Sequence, residues 1–364
     1  MMSKELSAVL ESQRKVSIQE FEIPNVEKEG FLLKVESVGV CGSDVERYIG
    51  TEFEGTFKTP FPIIMGHEVV GYISDGNQDQ LKKHNIEIGD RVTVEPYILC
   101  GECDYCLTGN YQLCKNMRCY GVNISCKEPP HLWGAYGEYM YVAPNSRIHR
   151  ISKNAPKEAA CLSSIIGNGI RWSSTKGNVK LGDSIVVIGP GTQGLAAVLV
   201  ADYIGAGEII IIGTSKDKSR LNIAKDFGAD HSIIIKEENA VQRVKELTNG
   251  KLADVVICCV GVPAAIDMGL DLVKPLGTFV LVGLTGDNKT TLSTDRIVMN
   301  ELKIFGGLGQ SYNVEAAVKL IESCKYPIEK MVTHTFSLND TEKALKTSAY
   351  EIPGEEPIKA VIIP

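Results

Sequence analysis

No apolar run in this chain approaches the roughly 20 residues that a bilayer-spanning helix needs, so no membrane partner is expected. No run of five or more basic residues occurs either, and the net charge of −7 works against a polyanionic ligand. Nucleic acid is therefore not an expected partner. Internal repeats and low-complexity segments are also missing. The first residues, Met1 to Arg14, are polar and hold no signal-peptide core. Without an export signal, the eleven cysteines read as metal ligands and reduced thiols instead of disulfides. The expected compartment is the cytoplasm. The remaining composition, 44% hydrophobic and 23% charged over 364 residues, is that of a globular protein of about two domains.

Four of the cysteines stand together. Cys100, Cys103, Cys106 and Cys114 follow the spacing C-x2-C-x2-C-x7-C. Such spacing lets soft thiolates converge on one metal ion, and four thiolates in a tetrahedron suit zinc. An iron–sulfur cluster and a group of reduced thiols are the alternatives. A closed four-thiolate site leaves no open coordination position. The spacing thus predicts a structural zinc lobe over residues 95–118 and places the chemistry elsewhere.

The chain is written in two styles. Up to about Arg150, short strand-like runs (Phe31–Val38, Val69–Ile73, Arg91–Glu95, Gly137–Val142) alternate with Gly, Pro and polar turns, which predicts an all-β lobe with long loops. From about Ser152, strands alternate with helices. The strands are Ser184–Ile188, Glu208–Ile212, Ser232–Ile235, Asp254–Cys259, Thr278–Val282 and Lys303–Gly307. The helices lie near Thr192–Tyr203, Lys218–Phe227, Asn239–Thr248 and Ala264–Leu272. This alternation predicts a doubly wound parallel sheet. The tail after Gln310 is expected to hold one helix, Val314–Ser323, and short strands.

Between the first such strand and its helix stands Gly189-Pro190-Gly191-Thr192-Gln193-Gly194, a G-x-G-x-x-G turn. In that context the glycines allow the backbone to approach a pyrophosphate at a helix N-terminus, where amides and dipole favour anions. A tight turn without a ligand, or a flavin site, are the other readings. The second strand ends without a carboxylate: Gly213 is followed by Thr214, Ser215 and Lys216. Hydroxyls and a positive charge there suit a ribose 2′-phosphate, so NADP is expected over NAD, unless Asp217 curls back to serve the ribose.

Earlier in the chain come Gly39-Val40-Cys41-Gly42-Ser43-Asp44 and Gly66-His67-Glu68. Taken with the four-cysteine lobe and the Gly-rich turn, in this order and over essentially the whole chain, they resemble the zinc-dependent medium-chain alcohol and polyol dehydrogenases, the sorbitol and threonine dehydrogenases among them. The resemblance implies an α/β protein with a GroES-like β-rich catalytic domain (residues 1–155 and 309–364) around a Rossmann cofactor domain (156–308). It also implies two zinc ions per chain, one catalytic and one structural. Cys41 and His67 become catalytic-zinc ligands, with Glu68 as a direct or neighbouring ligand. Asp44 would hold the other ring N–H of His67, and Ser43 would take the proton of the substrate hydroxyl. The reaction implied is hydride transfer between a secondary alcohol or polyol and NAD(P), in a homodimer or homotetramer.

Two positions depart from the family pattern. Ser164 stands where relatives carry a third zinc ligand, so that Glu68 with water, or Cys161 one turn away, would complete the shell. Glu46 replaces a relay histidine. The pocket is expected to draw on the loop Tyr48–Phe61 and the segment His131–Tyr136, where Trp133 and Tyr136 are either lining or core aromatics. A metal-independent quinone reductase and a non-catalytic dinucleotide-binding protein are the alternative functions.

Overall fold

The last strand of the chain returns to a sheet begun in its first third. In the computed structural model, which describes residues 4–51, 58–286 and 288–364, the last strand, Lys359–Ile363, pairs antiparallel with Phe31–Gly39 through Val361 with Gly39 and Ile362 with Val38. Strand order in this sheet is Val332–Ser337, Lys359–Ile363, Phe31–Gly39, Glu68–Gly76, Arg91–Ile98, Arg118–Cys119. Tyr139–Val142 joins it on Phe31–Gly39, and Ser146–Arg150 on Arg91–Ile98. A three-stranded sheet of Lys15–Glu22, Lys4–Ser12 and Ile63–Ile64 completes the β layer. Apolar residues of these strands, among them Phe31, Leu33, Val38, Ile63, Val92 and Met140, bury into one core.

The chain divides into two compact units, Met1–Ser164 with Val318–Pro364, and Ile165–Ala317. The second is a six-stranded parallel sheet. In the order of their appearance from Ser184, its strands lie third, second, first, fourth, fifth, sixth. That is the doubly wound dinucleotide order. Ser184–Ile188, Glu208–Gly213 and Ala253–Cys258 are almost wholly buried, because helices cover both faces of a parallel sheet.

Several helices were not legible in the sequence, among them Ser163–Ile170 and Thr294–Met299 of the later part of the chain. Gly42–Ile49 and Gln78–His84 break the all-β reading of the first lobe. The first of them starts at Cys41, whose N–H donates to Asp44 Oδ2 at 2.9 Å; an N-cap made by Cys instead of Ser or Thr is a weak signal. Thr341–Ser348 buries only Thr341, Ala344, Leu345 and Thr347, too narrow an apolar stripe to announce a helix.

Candidate active site

The strand Phe31–Gly39 delivers Cys41 to the start of a helix, and the neighbouring strand begins at Glu68, directly opposite Gly39. Gly66, with φ +91, turns the chain just before His67. The sheet thereby brings one sulfur, one imidazole nitrogen and one carboxylate oxygen from Cys41, His67 and Glu68 within 4.8 Å of one another. Asp44, fully buried, stands behind them. Its Oδ1 lies 3.6 Å from His67 Nδ1, and its Oδ2 accepts from the Cys41 N–H and, at 3.0 Å, from the Tyr136 hydroxyl. Burial works against a charged His67 ring, but Asp44, Cys41 and Glu68 together push its pKa up to about 9. The cluster therefore attracts a cation. Asp44 Oδ1 and His67 Nδ1 are buried without hydrogen bonds. Such orphaned polar atoms around a thiol–imidazole–carboxylate donor set fit a metal ion such as zinc.

Sequence reasoning missed Lys359. Its ammonium, from the last strand, is buried, pairs with Glu68 and donates to the Val40 carbonyl at 2.8 Å. Burial disfavours its charge, yet Glu68, with Cys41 and Cys161, more than offsets this and holds the lysine above its ordinary pKa. Only a chain-long β pairing could have revealed the contact. Of the two candidates at the family's third-ligand position, Cys161 is buried and donates to the Glu158 carbonyl at 3.3 Å, and burial pushes its thiol up to about 12. It stands outside the Cys41–His67–Glu68 group. Ser164 is buried near the start of the helix Ser163–Ile170. Ser43 is half-buried and Glu46 exposed. Of the suggested lining segments, residues 52–57 lie outside the described residues. Trp133 and Tyr136 belong to the core: Trp133 packs on Tyr120 and Tyr141.

The four cysteines also converge. Their sulfurs lie within 4.8 Å of one another, with Cys100 to Cys106 at 3.7 Å and Cys103 to Cys114 at 4.0 Å. A zinc–sulfur bond of about 2.3 Å gives a tetrahedron with edges of about 3.8 Å, so the cage has the size zinc needs. All eleven cysteines are free thiols. A buried carboxylate, unmarked in the sequence, anchors this lobe. Glu95 accepts from the Tyr111 hydroxyl at 2.6 Å, from Arg147 at 3.1 Å, and pairs with His149 at 2.8 Å. Tyr111 opens the short turn that ends at Cys114.

In the second unit Gly189 adopts φ +99, and a Cβ on Gly194 would collide with the Gly189 carbonyl. Gly191 caps the helix Thr192–Ile204 and has open space where a Cβ would project. That opening suits close approach of a phosphate to the amides of Thr192, Gln193 and Gly194. The turn after the second strand is tied differently from its sequence reading. Thr214 donates its N–H and its hydroxyl to Asp217 at 2.9 and 2.7 Å, so that hydroxyl is engaged. Ser215 and Lys216 remain exposed, and Arg220 reaches 3.9 Å from Asp217.

Residues 27–153 match the alcohol dehydrogenase GroES-like domain, and residues 194–323 match the zinc-binding dehydrogenase family. The chain is 35% identical to a Mycobacterium tuberculosis protein described as "Probable alcohol dehydrogenase adh", over 98% of this chain and 97% of that one. It is 31% identical to the sorbitol dehydrogenase of Bacillus subtilis, over 93% and 92%. An alcohol dehydrogenase structure from Thermotoga maritima superposes with a TM-score of 0.88 at 25% identity, over the whole of both chains. The fold is thus that of a dehydrogenase with a GroES-like and a Rossmann part. The chain belongs to the zinc-type medium-chain alcohol and polyol dehydrogenase family and is an oxidoreductase.

Proposed function

We propose that the chain oxidises a secondary alcohol or polyol, or reduces the matching ketone, with hydride passing between the substrate carbon and the nicotinamide of NADP or NAD. The observation that carries this reading is the convergence of Cys41, His67 and Glu68 in front of the buried Asp44. These three residues would hold a catalytic zinc, and Cys100, Cys103, Cys106 and Cys114 a structural one. Zinc at an open site supplies Lewis acidity toward a substrate oxygen. Asp44 keeps His67 Nδ1 protonated and leaves Nε2 for ligation, while Ser43 takes the hydroxyl proton. Gly189, Gly191, Thr192, Gln193 and Gly194 bind the pyrophosphate. Elemental analysis of purified protein should give two zinc ions per chain, one lost to mild chelation together with turnover on an alcohol and polyol panel. Protein free of zinc that still turns over would favour a metal-independent reductase instead.

NADP is the favoured cofactor. Lys216, with Ser215, offers a positive and hydrogen-bonding rim at the end of the second strand, and Asp217 is already occupied by Thr214. Lys216→Asp should shift kcat/KM towards NAD; a wild-type preference for NAD that survives removal of Lys216 would refute this. A cytoplasmic homodimer or homotetramer is the proposed state. In the second unit, Lys303–Gly306 is an edge strand, and the helix before it exposes Val298 by 71% and Met299 by 81%, an apolar surface suited to a second copy. Sedimentation of Met299→Lys should show smaller species if that surface is used.

A further inference from the structure

We infer that Tyr136 is a positioning residue for the metal centre, acting on His67 through Asp44. This inference rests on the reading of Cys41, His67 and Glu68 as metal ligands. Tyr136 is fully buried, yet it is not simply core filler. Its hydroxyl donates to Asp44 Oδ2 at 3.0 Å, the same oxygen that receives the Cys41 N–H. Its ring lies against Gly66, where a Cβ would fall 2.5 Å from the Tyr136 ring. Its backbone N–H donates to the Met65 carbonyl at 2.9 Å. One residue therefore grips both pieces of chain that build the cluster: the turn that presents His67, and the helix start that presents Cys41 and Asp44.

The hydrogen-bond inventory shows why the hydroxyl matters. A carboxylate offers lone pairs on both oxygens. With Oδ2 filled by Tyr136 and by Cys41, the oxygen left for the imidazole is Oδ1, which faces His67 Nδ1 at 3.6 Å. The phenol thus fixes the rotation of the carboxylate, and the carboxylate fixes the tautomer and the ring orientation of the histidine. Phenylalanine at this position would keep the packing on Gly66 and lose only the hydroxyl. Asp44 would then be free to turn, and His67 would lose its fixed partner.

The test uses the full-length protein with both metal sites loaded. Zinc affinity of the more labile site is measured by chelator competition in wild type, Tyr136→Phe, Asp44→Asn and the double variant, and cobalt is substituted at that site to record its visible spectrum. Tyr136→Phe should weaken the labile site about tenfold, the lower end of what losing an outer partner of a ligand costs. It should shift the cobalt bands and leave the metal affinity of the four-cysteine site unchanged. In the Asp44→Asn background the same substitution should have no further effect. Unchanged affinity and spectrum in Tyr136→Phe, or an equal loss with and without Asp44, would overturn the inference while leaving the proposed function standing. A wild-type protein that binds no metal at Cys41 and His67 would overturn both.

Discussion

The four-cysteine lobe takes its donors from one short stretch, Cys100 to Cys114, whereas Cys41, His67 and Glu68 come from two strand ends and lean on Asp44, Tyr136 and Lys359. The first cluster is chemically uniform and closed. Its sulfurs alone could satisfy a tetrahedral ion, and the surrounding protein need only hold the loop, which Glu95 does through Tyr111. The second is mixed. Its three donors leave a position for another ligand, and its charge is adjusted by a carboxylate behind it and an ammonium beside it. A closed site is built for permanence and an open one for exchange. The difference in supporting residues follows, because an incomplete shell cannot orient its own ligands.

Several perturbations would break or sharpen this contrast. Removing a donor from the open cluster has the largest expected effect on catalysis: Cys41→Ala and His67→Ala should abolish turnover but keep the fold and dinucleotide affinity, as checked by circular dichroism and cofactor titration. Near-wild-type rates in either variant would show that the open cluster is not catalytic. Ser43→Ala should lower kcat about 10²–10⁴-fold, the range for a lost proton-transfer group, with zinc content unchanged; a rate equal to wild type would move the proton role elsewhere.

At the closed cluster the expected effect is on stability. Glu95→Gln weakens the buried acceptor shared by Tyr111, Arg147 and His149, which should cost about 1–3 kcal/mol of unfolding free energy, read by denaturant titration, with kcat nearly unchanged. Equal stability would mean that the lobe does not depend on this anchor. The smallest effect is a titration. In metal-free protein the His67 imidazole should titrate near 9, well above its ordinary 6.5, and Asp44→Asn should lower that midpoint. Because the shift is upward, the ring is protonated at neutral pH, and metal must displace that proton. An NMR midpoint near 6.5 would show that the neighbouring anions do not act on it.

Much of this was visible in the chain itself. The Ser184–Ile188 strand, the Gly-rich turn and the helix from Thr192 are local features whose periodicity and glycines can be read directly. The four cysteines are local as well. Glu95 and Lys359 were not legible, because each acts across strands far apart in sequence, and nothing near either residue marks it as a partner. Tyr136 was noticed only as an aromatic of open role, since a buried phenol that donates to a carboxylate looks in sequence like any core tyrosine. The helix from Gly42 was hidden for a different reason. Its cap is the same Cys41 whose sulfur serves the cluster, so one residue carries two signals.

The pairing of Lys359 with Glu68 also sets an order of assembly. During synthesis the four-cysteine stretch emerges as one piece and can close on an ion while most of the chain is still unmade. The open cluster cannot reach its final electrostatic state until the strand Lys359–Ile363 has docked beside Phe31–Gly39, after the whole dinucleotide-binding unit has been made. Contacts so distant along the chain are slow to form. A nascent or C-terminally clipped polypeptide would therefore carry a complete four-cysteine cluster beside an incomplete Cys41–His67–Glu68 cluster.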